Sequence, residues 1–350
     1  MRLRDDLDDL EGYHSPQVDV AVRLNTNESP YPPPDAWREA LLDELRELPF
    51  ERYPDRSAME LRRAIGALHG VGPEQVLAAN GSNEVIQAVC LAFGGHGRSA
   101  AVFKPTYLMH SQIAGITSTA VVEGQRDADF ALDMDEVERL VSREQPAITF
   151  LCSPNNPSGM LDPPEAIDRV LALGSGLVVV DEAYGQFSPR SAIDKVAEGR
   201  PLVVVRTFSK TWSMAAARLG YLVGPPEIIS GIERVLLPYH LDAMKQAAGR
   251  LALRFQAEME GRVATIVEER GRLAAGLAEL PVDAWPSAAN FILLRPRTKD
   301  GDKVWEELVE RSVLVRNCAR WDRLDGCLRV TVGTPAENDA FLSALREVLT

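Results

Sequence analysis

Between residues 100 and 223 short apolar runs alternate with longer amphipathic ones. Residues 100–103, 121–122, 148–152, 177–180, 202–205 and 219–223 read as strands. Residues 107–114, 134–141 and 164–173 read as helices, with Val137, Leu140 and Val141 on one face of the second. The strand runs are apolar throughout, as in a sheet covered on both faces. Strands alternating with helices predict an α/β domain with a mostly parallel sheet flanked by helices.

Upstream, the cluster Ser29-Pro30-Tyr31-Pro32-Pro33-Pro34 predicts an extended arm. Helical spacing resumes over 37–48 and from about residue 57, where Leu61, Ile65 and Leu68 share a face. Gly81-Ser82-Asn83-Glu84 precedes an amphipathic helix through Phe93, with Ser82 or Asn83 as its N-cap. Beyond Pro225 the pattern changes. A helix over 227–236 is followed by one long helical stretch, 242–280. Strands at 291–294, 313–316 and 328–332 then mix with helices at 302–311 and 337–349. This predicts a large domain over 30–238 and a smaller α+β domain built from an arm, 1–29, and 239–350.

Composition narrows the function. The 350 residues carry a net charge of -13, with 45% hydrophobic and 25% charged residues. The field of such a chain repels nucleic acid and anionic membranes, so neither is expected as a partner. No apolar run approaches the ~20 residues of a membrane span, and the acidic start is not a signal peptide. Cys90, Cys152, Cys318 and Cys327 form no C-x-x-C pair, and no His stands at metal-ligand spacing. Reduced thiols, no metal and a cytoplasmic location are the expectation.

Ligands of open α/β sheets bind beyond the carboxyl ends of the strands. The run 148–152 delivers Asn155 and Asn156 there, 177–180 delivers Asp181 and Tyr184, and 202–205 delivers Thr207, Ser209 and Lys210. Lys210 is one of only six lysines, and Arg218 follows it by eight residues. A lysine desolvated behind a buried strand is suited to attack a carbonyl. The free N–H groups of Gly81-Ser82-Asn83 at a helix start suit a phosphate. An amine, a carboxylate, an amide, a phenol and a phosphate cup together match pyridoxal 5′-phosphate. Lys210 would attach to it and Asp181 would sit by the ring nitrogen, keeping it protonated. Asn156 and Tyr184 would hydrogen-bond the ring hydroxyl oxygen, and Tyr107 would lie on the ring face. Ser82, Asn83, Thr207, Ser209 and Arg218 would hold the phosphate.

The segments RLNTNESPYPP (23–33), RYPD (52–55), ANGSNE (79–84), KPTYLMH (104–110), CSPNNPSG (152–159), VVVDEAY (178–184), RTFSKTWSMAAARLGY (206–221) and LRVTVGTPAEN (328–338) span almost the whole chain. With them the chain resembles the class I and II aminotransferases of fold type I, and among these the histidinol-phosphate aminotransferases, which implies that the large domain's mostly parallel sheet is seven-stranded. That resemblance implies that Arg329, assisted by Arg316, binds a substrate phosphate or the carboxylate of glutamate. It implies that Asn25, Tyr13 and Tyr53 lie near the substrate, with Tyr53 donated by the partner of a homodimer with shared active sites. The chain departs from the pattern at Thr211-Trp212-Ser213-Met214, where Trp212 either packs or narrows the site. The implied reaction is transamination of L-histidinol phosphate with 2-oxoglutarate to imidazole-acetol phosphate and glutamate. An aromatic amino-acid aminotransferase is the alternative; a threonine-phosphate-type decarboxylase and a non-catalytic pyridoxal-phosphate-binding protein stand behind it. A nucleotide-dependent enzyme is disfavoured, because no G-x-G-x-x-G follows a strand and no P-loop is present.

Overall fold

The computed structural model describes residues 18–350. In chain order its elements begin with β1 (Val22–Leu24), α1 (Asp35–Glu47), α2 (Met59–His69), β2 (Val76–Ala79) and α3 (Ser82–Phe93). There follow β3 (Ser99–Lys104), α4 (Met109–Ile116), β4 (Ala120–Gln125), α5 (Met134–Glu144), β5 (Ile148–Cys152), α6 (Ala166–Ala172) and β6 (Leu177–Asp181). Next are β7 (Leu202–Thr207), β8 (Gly220–Val223), α7 (Pro226–Glu233), α8 (Ala243–Ala252) and α9 (Gln256–Ala278). The chain ends with β9 (Val282–Ala284), β10 (Phe291–Pro296), α10 (Gly301–Glu310), β11 (Val313–Asn317), β12 (Leu328–Thr331) and α11 (Pro335–Leu349).

Seven strands make the larger sheet, in the order β2-β8-β7-β6-β5-β3-β4. β7, β6, β5, β3 and β4 run parallel; β8 is antiparallel to both its neighbours. Successive side chains leave a strand on opposite faces, and here both faces are apolar. Val178, Val180, Leu202 and Val204 pack with Leu61 and Ile65 of α2 and Val137 and Leu140 of α5. Val179, Val203 and Val205 pack on the other face with Val85, Ile86 and Val89 of α3 and Ile229 and Ile232 of α7. Each such fully buried side chain contributes ~1.5–3 kcal/mol, which fixes the register of the central strands and so the height of every group at their ends.

The smaller sheet has the order β1-β11-β12-β10-β9, with β1 parallel to β11 and the other pairs antiparallel. Phe291, Leu294, Val315 and Val330 pack beneath it with Leu273 and Leu277 of α9 and Phe341 and Leu345 of α11. A capping box between Thr334 and Glu337 starts α11.

Four details differ from the sequence reading. The seventh strand of the large sheet is β2, which the apolar pattern did not mark. β1 and β9 extend the small sheet. The stretch 242–280 is two helices, broken at residues 253–255: Ala248 and Leu251 of α8 and Met259 of α9 pack with Leu61, and α9 then runs on until Ile266 and Leu273 pack under the small sheet. Finally, Gly81 rather than Ser82 or Asn83 is the N-cap of α3, and no side chain caps that end. Its first-turn N–H groups are thereby left for a ligand.

Candidate active site

The ends of β5, β6 and β7, the start of α3 and the residues after β1 open on one cleft. It is lined by Ser82, Asn83, Tyr107, Asn156, Asp181, Tyr184, Thr207, Ser209, Lys210, Arg218 and Arg329, groups that the sequence placed together. Thr26, Asn27 and Trp321 line it as well.

Asp181 ends β6 with its side chain 2% exposed. Its Oδ1 accepts the Ala183 N–H at 3.0 Å, and its Oδ2 lies 2.9 Å from His110 Nε2. His110 is fully buried, stacked on Phe150 with ring centroids 4.6 Å apart. A carboxylate facing it calls for a proton on Nε2. Tyr107 stands edge-on to His110 and donates to Asn83 Oδ1 at 3.1 Å.

Lys210 follows β7 and its Nζ donates to the Thr26 carbonyl at 3.0 Å. Burial, and then the nearby Arg329 cation, push its amine down to about 7. A share of the amine is thus neutral at ordinary pH, which a nucleophile or base requires. Tyr184 donates its ring to the small-sheet core against Phe291, and its hydroxyl accepts from Asn27 Nδ2 at 2.9 Å. Burial raises this phenol to about 12, so it keeps its proton.

The anion cup is made by backbone shape. Gly81 sits at φ +85°, and a Cβ there would meet Arg218 Nη2 at 2.9 Å. Gly220 runs so close to this turn that its Cβ would fall 2.3 Å from the Ser82 nitrogen. Arg218, itself in the left-handed region at φ 51°, donates to Ser209 Oγ at 3.3 Å. Ser209 N–H donates to Thr207 Oγ1 at 3.1 Å.

At the far end Arg329 of β12 lines the cleft; Arg316 of β11, its direct partner across the ladder, does not line it, and both are buried. Arg329 donates to Asn156 Oδ1 and, at 3.2 Å, to the Asn25 carbonyl. Asn25 thus meets the site through its backbone. Asn156 stands in a tight turn with cis bonds at Ser153-Pro154 and Asn156-Pro157. Neighbouring Asn155 is fully buried and braces the turn through Ser158 Oγ and the Pro105 carbonyl.

Tyr53, expected to serve the partner's cleft, does not line the cleft of its own chain; it is 81% exposed and stacks on Tyr239 at 4.5 Å. Tyr13 lies outside the described residues. Trp212 and Met214 are buried in the core of the large sheet, Trp212 against Phe208, so this departure from the family pattern is packing. His110, Asn27 and Trp321 were not singled out from sequence. His110 and Asn27 lie inside the recognised segments, but their partners are 71 and 157 residues away. Among the described residues no cluster of His, Cys, Asp or Glu is suited to a metal, and no helix is long and apolar enough to cross a membrane.

The residues present fit pyridoxal 5′-phosphate. An uncapped helix start, a glycine turn against Arg218 and two hydroxyls suit its phosphate. The buried carboxylate of Asp181 suits its ring nitrogen, and Lys210 suits its aldehyde.

The family model "Aminotransferase class I and II" matches residues 19–345. A histidinol-phosphate aminotransferase of Corynebacterium diphtheriae is 42% identical over 360 residues, covering 99% of this chain and 96% of its own. One from Streptomyces avermitilis is 43% identical with the same coverage. The crystal structure of histidinol-phosphate aminotransferase from Sinorhizobium meliloti in complex with pyridoxal-5′-phosphate superposes with a TM-score of 0.88. It is 22% identical and covers 99% of this chain and 97% of that one. Fold, cleft and sequence agree: the chain belongs to the class I and II aminotransferases.

Proposed function

We propose that this aminotransferase moves the amino group of L-histidinol phosphate to 2-oxoglutarate, giving imidazole-acetol phosphate and glutamate, as a step of histidine biosynthesis. The observation that carries the substrate is the buried pair formed by Arg329, which lines the cleft, and Arg316, opposed to it across one ladder. Two like charges so placed repel, and a phosphate monoester, or the carboxylate of 2-oxoglutarate, relieves them with forked hydrogen bonds. The curated relatives at 42–43% identity carry the name of this activity.

Pyridoxal 5′-phosphate, once bound, supplies an aldehyde that captures amines and a ring that takes up electrons released at the substrate Cα. The chain does the rest. Ser82, Asn83, Thr207, Ser209 and Arg218 anchor the cofactor phosphate. Asp181, held by His110 and Ala183, keeps the proton on the ring nitrogen. Tyr184, still protonated, donates to the ring hydroxyl oxygen. Asn156 has its Oδ1 engaged by Arg329, so its Nδ2 is turned to the same task. Tyr107 covers the ring face. Lys210 Nζ, a share of it neutral near pH 7, takes the proton from the substrate Cα and later returns one.

We further propose a cytoplasmic homodimer. Tyr53 and Phe50, 81% and 71% exposed, form the face that meets the second copy, and Tyr53 reaches the partner's cleft. Tyr13 and Asn25 border the substrate from the arm. The boundary near 238 is supported by the small sheet, whose strands all come from 1–29 and 239–350.

The test is a substrate screen on the purified enzyme. kcat/KM for histidinol phosphate should exceed that for phenylalanine by orders of magnitude; the reverse ranking would make it an aromatic aminotransferase. Lys210→Ala should abolish both turnover and the visible absorbance of the lysine-bound cofactor. Turnover surviving in that variant removes Lys210 from its role.

A further inference from the structure

The hairpin that joins β11 to β12 leaves one strand just past Arg316 and enters the next at Arg329. Instead of running out into solvent, it folds back over the two cations. Cys318 N–H donates to the Cys327 carbonyl at 2.9 Å and closes its neck. Trp321 N–H returns to Cys318 O at 2.9 Å, and Leu324 N–H to Trp321 O at 3.1 Å. Cys318, Leu324 and Cys327 are buried with Phe130 and Leu293, and the indole of Trp321 packs on that cluster.

The outside of the hairpin is pinned to the large-sheet side. Arg323, in the left-handed region at φ 63°, donates to the Arg126 carbonyl at 2.5 Å and the Asp127 carbonyl at 2.8 Å. The Trp321 ring is thereby held 5.3 Å from the Arg316 guanidinium and 5.9 Å from that of Arg329, while lining the cleft. Both distances lie within the ~6 Å reach of cation–π attraction. Arg329 has further supports in Phe291, whose ring is 5.1 Å away, and in Asn156 and Asn25.

We propose that Trp321 is a positioning and specificity-determining residue for the anion end of the cleft. Its ring offsets the repulsion between the guanidiniums and fixes them as one fork sized for a dianionic phosphate monoester. The indole touches both guanidiniums, so a phosphate, with three oxygens to share between the two forks, suffers more from its loss than a carboxylate with two. The naming of histidinol phosphate as that monoester rests on the function proposed above; the positioning of the arginines does not.

The experiment uses the cofactor-loaded enzyme and inorganic phosphate as probe. Calorimetric titration should show phosphate binding about tenfold weaker in Trp321→Leu and within about threefold of wild type in Trp321→Phe. KM for histidinol phosphate should rise by a similar factor in Trp321→Leu, with kcat within about twofold and KM for 2-oxoglutarate rising less. Phosphate should also change the tryptophan emission of the wild type, and Trp321→Phe should lose that change, a readout that stands even if the leucine variant fails to fold. Weaker phosphate binding in an enzyme that ignores histidinol phosphate supports the positioning role and removes only the substrate reading. Unchanged phosphate affinity in folded Trp321→Leu, or an unchanged emission response in Trp321→Phe, overturns the proposal.

Discussion

His110 Nε2 lies 2.9 Å from Asp181 Oδ2, and neither side chain is open to solvent. The carboxylate proposed to face the cofactor ring is thus itself held by a proton donor, with Ala183 N–H on its other oxygen. A hydrogen bond to a charged group contributes ~1.5–3 kcal/mol. His110→Phe would keep the stack on Phe150 and lose the donor. It should lower kcat about 10- to 100-fold with little change in substrate KM. A parallel His110→Gln variant should recover part of the loss. Steady-state kinetics with both variants decides it; a full-rate phenylalanine variant would show that Asp181 needs no such support.

The amine of Lys210 titrates near 7 in the folded chain, against an ordinary value of 10.5. Between those values the unfolded chain holds a proton that the folded apoenzyme does not. Stability of the apoenzyme should therefore rise with pH across that window, and the penalty is fully present below about 7. Lys210→Met should flatten that slope in urea melts at pH 7 and 9. Labelling of Lys210 by an amine reagent should reach half its maximum near pH 7, and Arg329→Gln should move that midpoint upward. A midpoint near that of ordinary lysines would contradict the burial and charge that depress it.

Gly220 opens β8 where the strand passes the turn before α3. A Cβ at 220 would lie 2.3 Å from the Ser82 nitrogen and 2.6 Å from the Gly81 carbonyl carbon. Those atoms are backbone and cannot swing aside, so the cup must widen. Gly220→Ala should weaken cofactor binding by at least about tenfold, corresponding to ~1.4 kcal/mol, more than it changes kcat at saturating cofactor. Equilibrium dialysis against pyridoxal 5′-phosphate measures this directly, and unaltered affinity would mean that the cup is not the phosphate site.

Much of this site is written in short segments. Asp181, Asn156, Lys210 and Arg218 were found because strand ends are easy to mark when the strands are solid runs of valine and leucine. β2 was missed because Val76-Leu77-Ala78-Ala79 is short and half alanine, a weak strand former. The break between α8 and α9 carries no glycine or proline at residues 253–255, so no local breaker marks it. His110, Asn27 and Trp321 gain their meaning only from partners far along the chain, which no local pattern encodes. Trp212 shows the converse: its neighbourhood to Lys210 in sequence drew attention to it, yet its side chain points into the core.

The three residues after β1 each touch the site. The Asn25 carbonyl receives Arg329, the Thr26 carbonyl receives Lys210, and the Asn27 amide reaches Tyr184. β1 itself is held by pairing with β11, almost 300 residues later. During synthesis, then, the large sheet can be complete while the amine of Lys210 still lacks its acceptor. The strand that recruits residues 25–27 to the cleft, β11, emerges from the ribosome about 100 residues after Lys210. Cofactor capture should accordingly wait for β11, and a chain truncated before β11 would carry every residue proposed to bind the cofactor and still present an unfinished site.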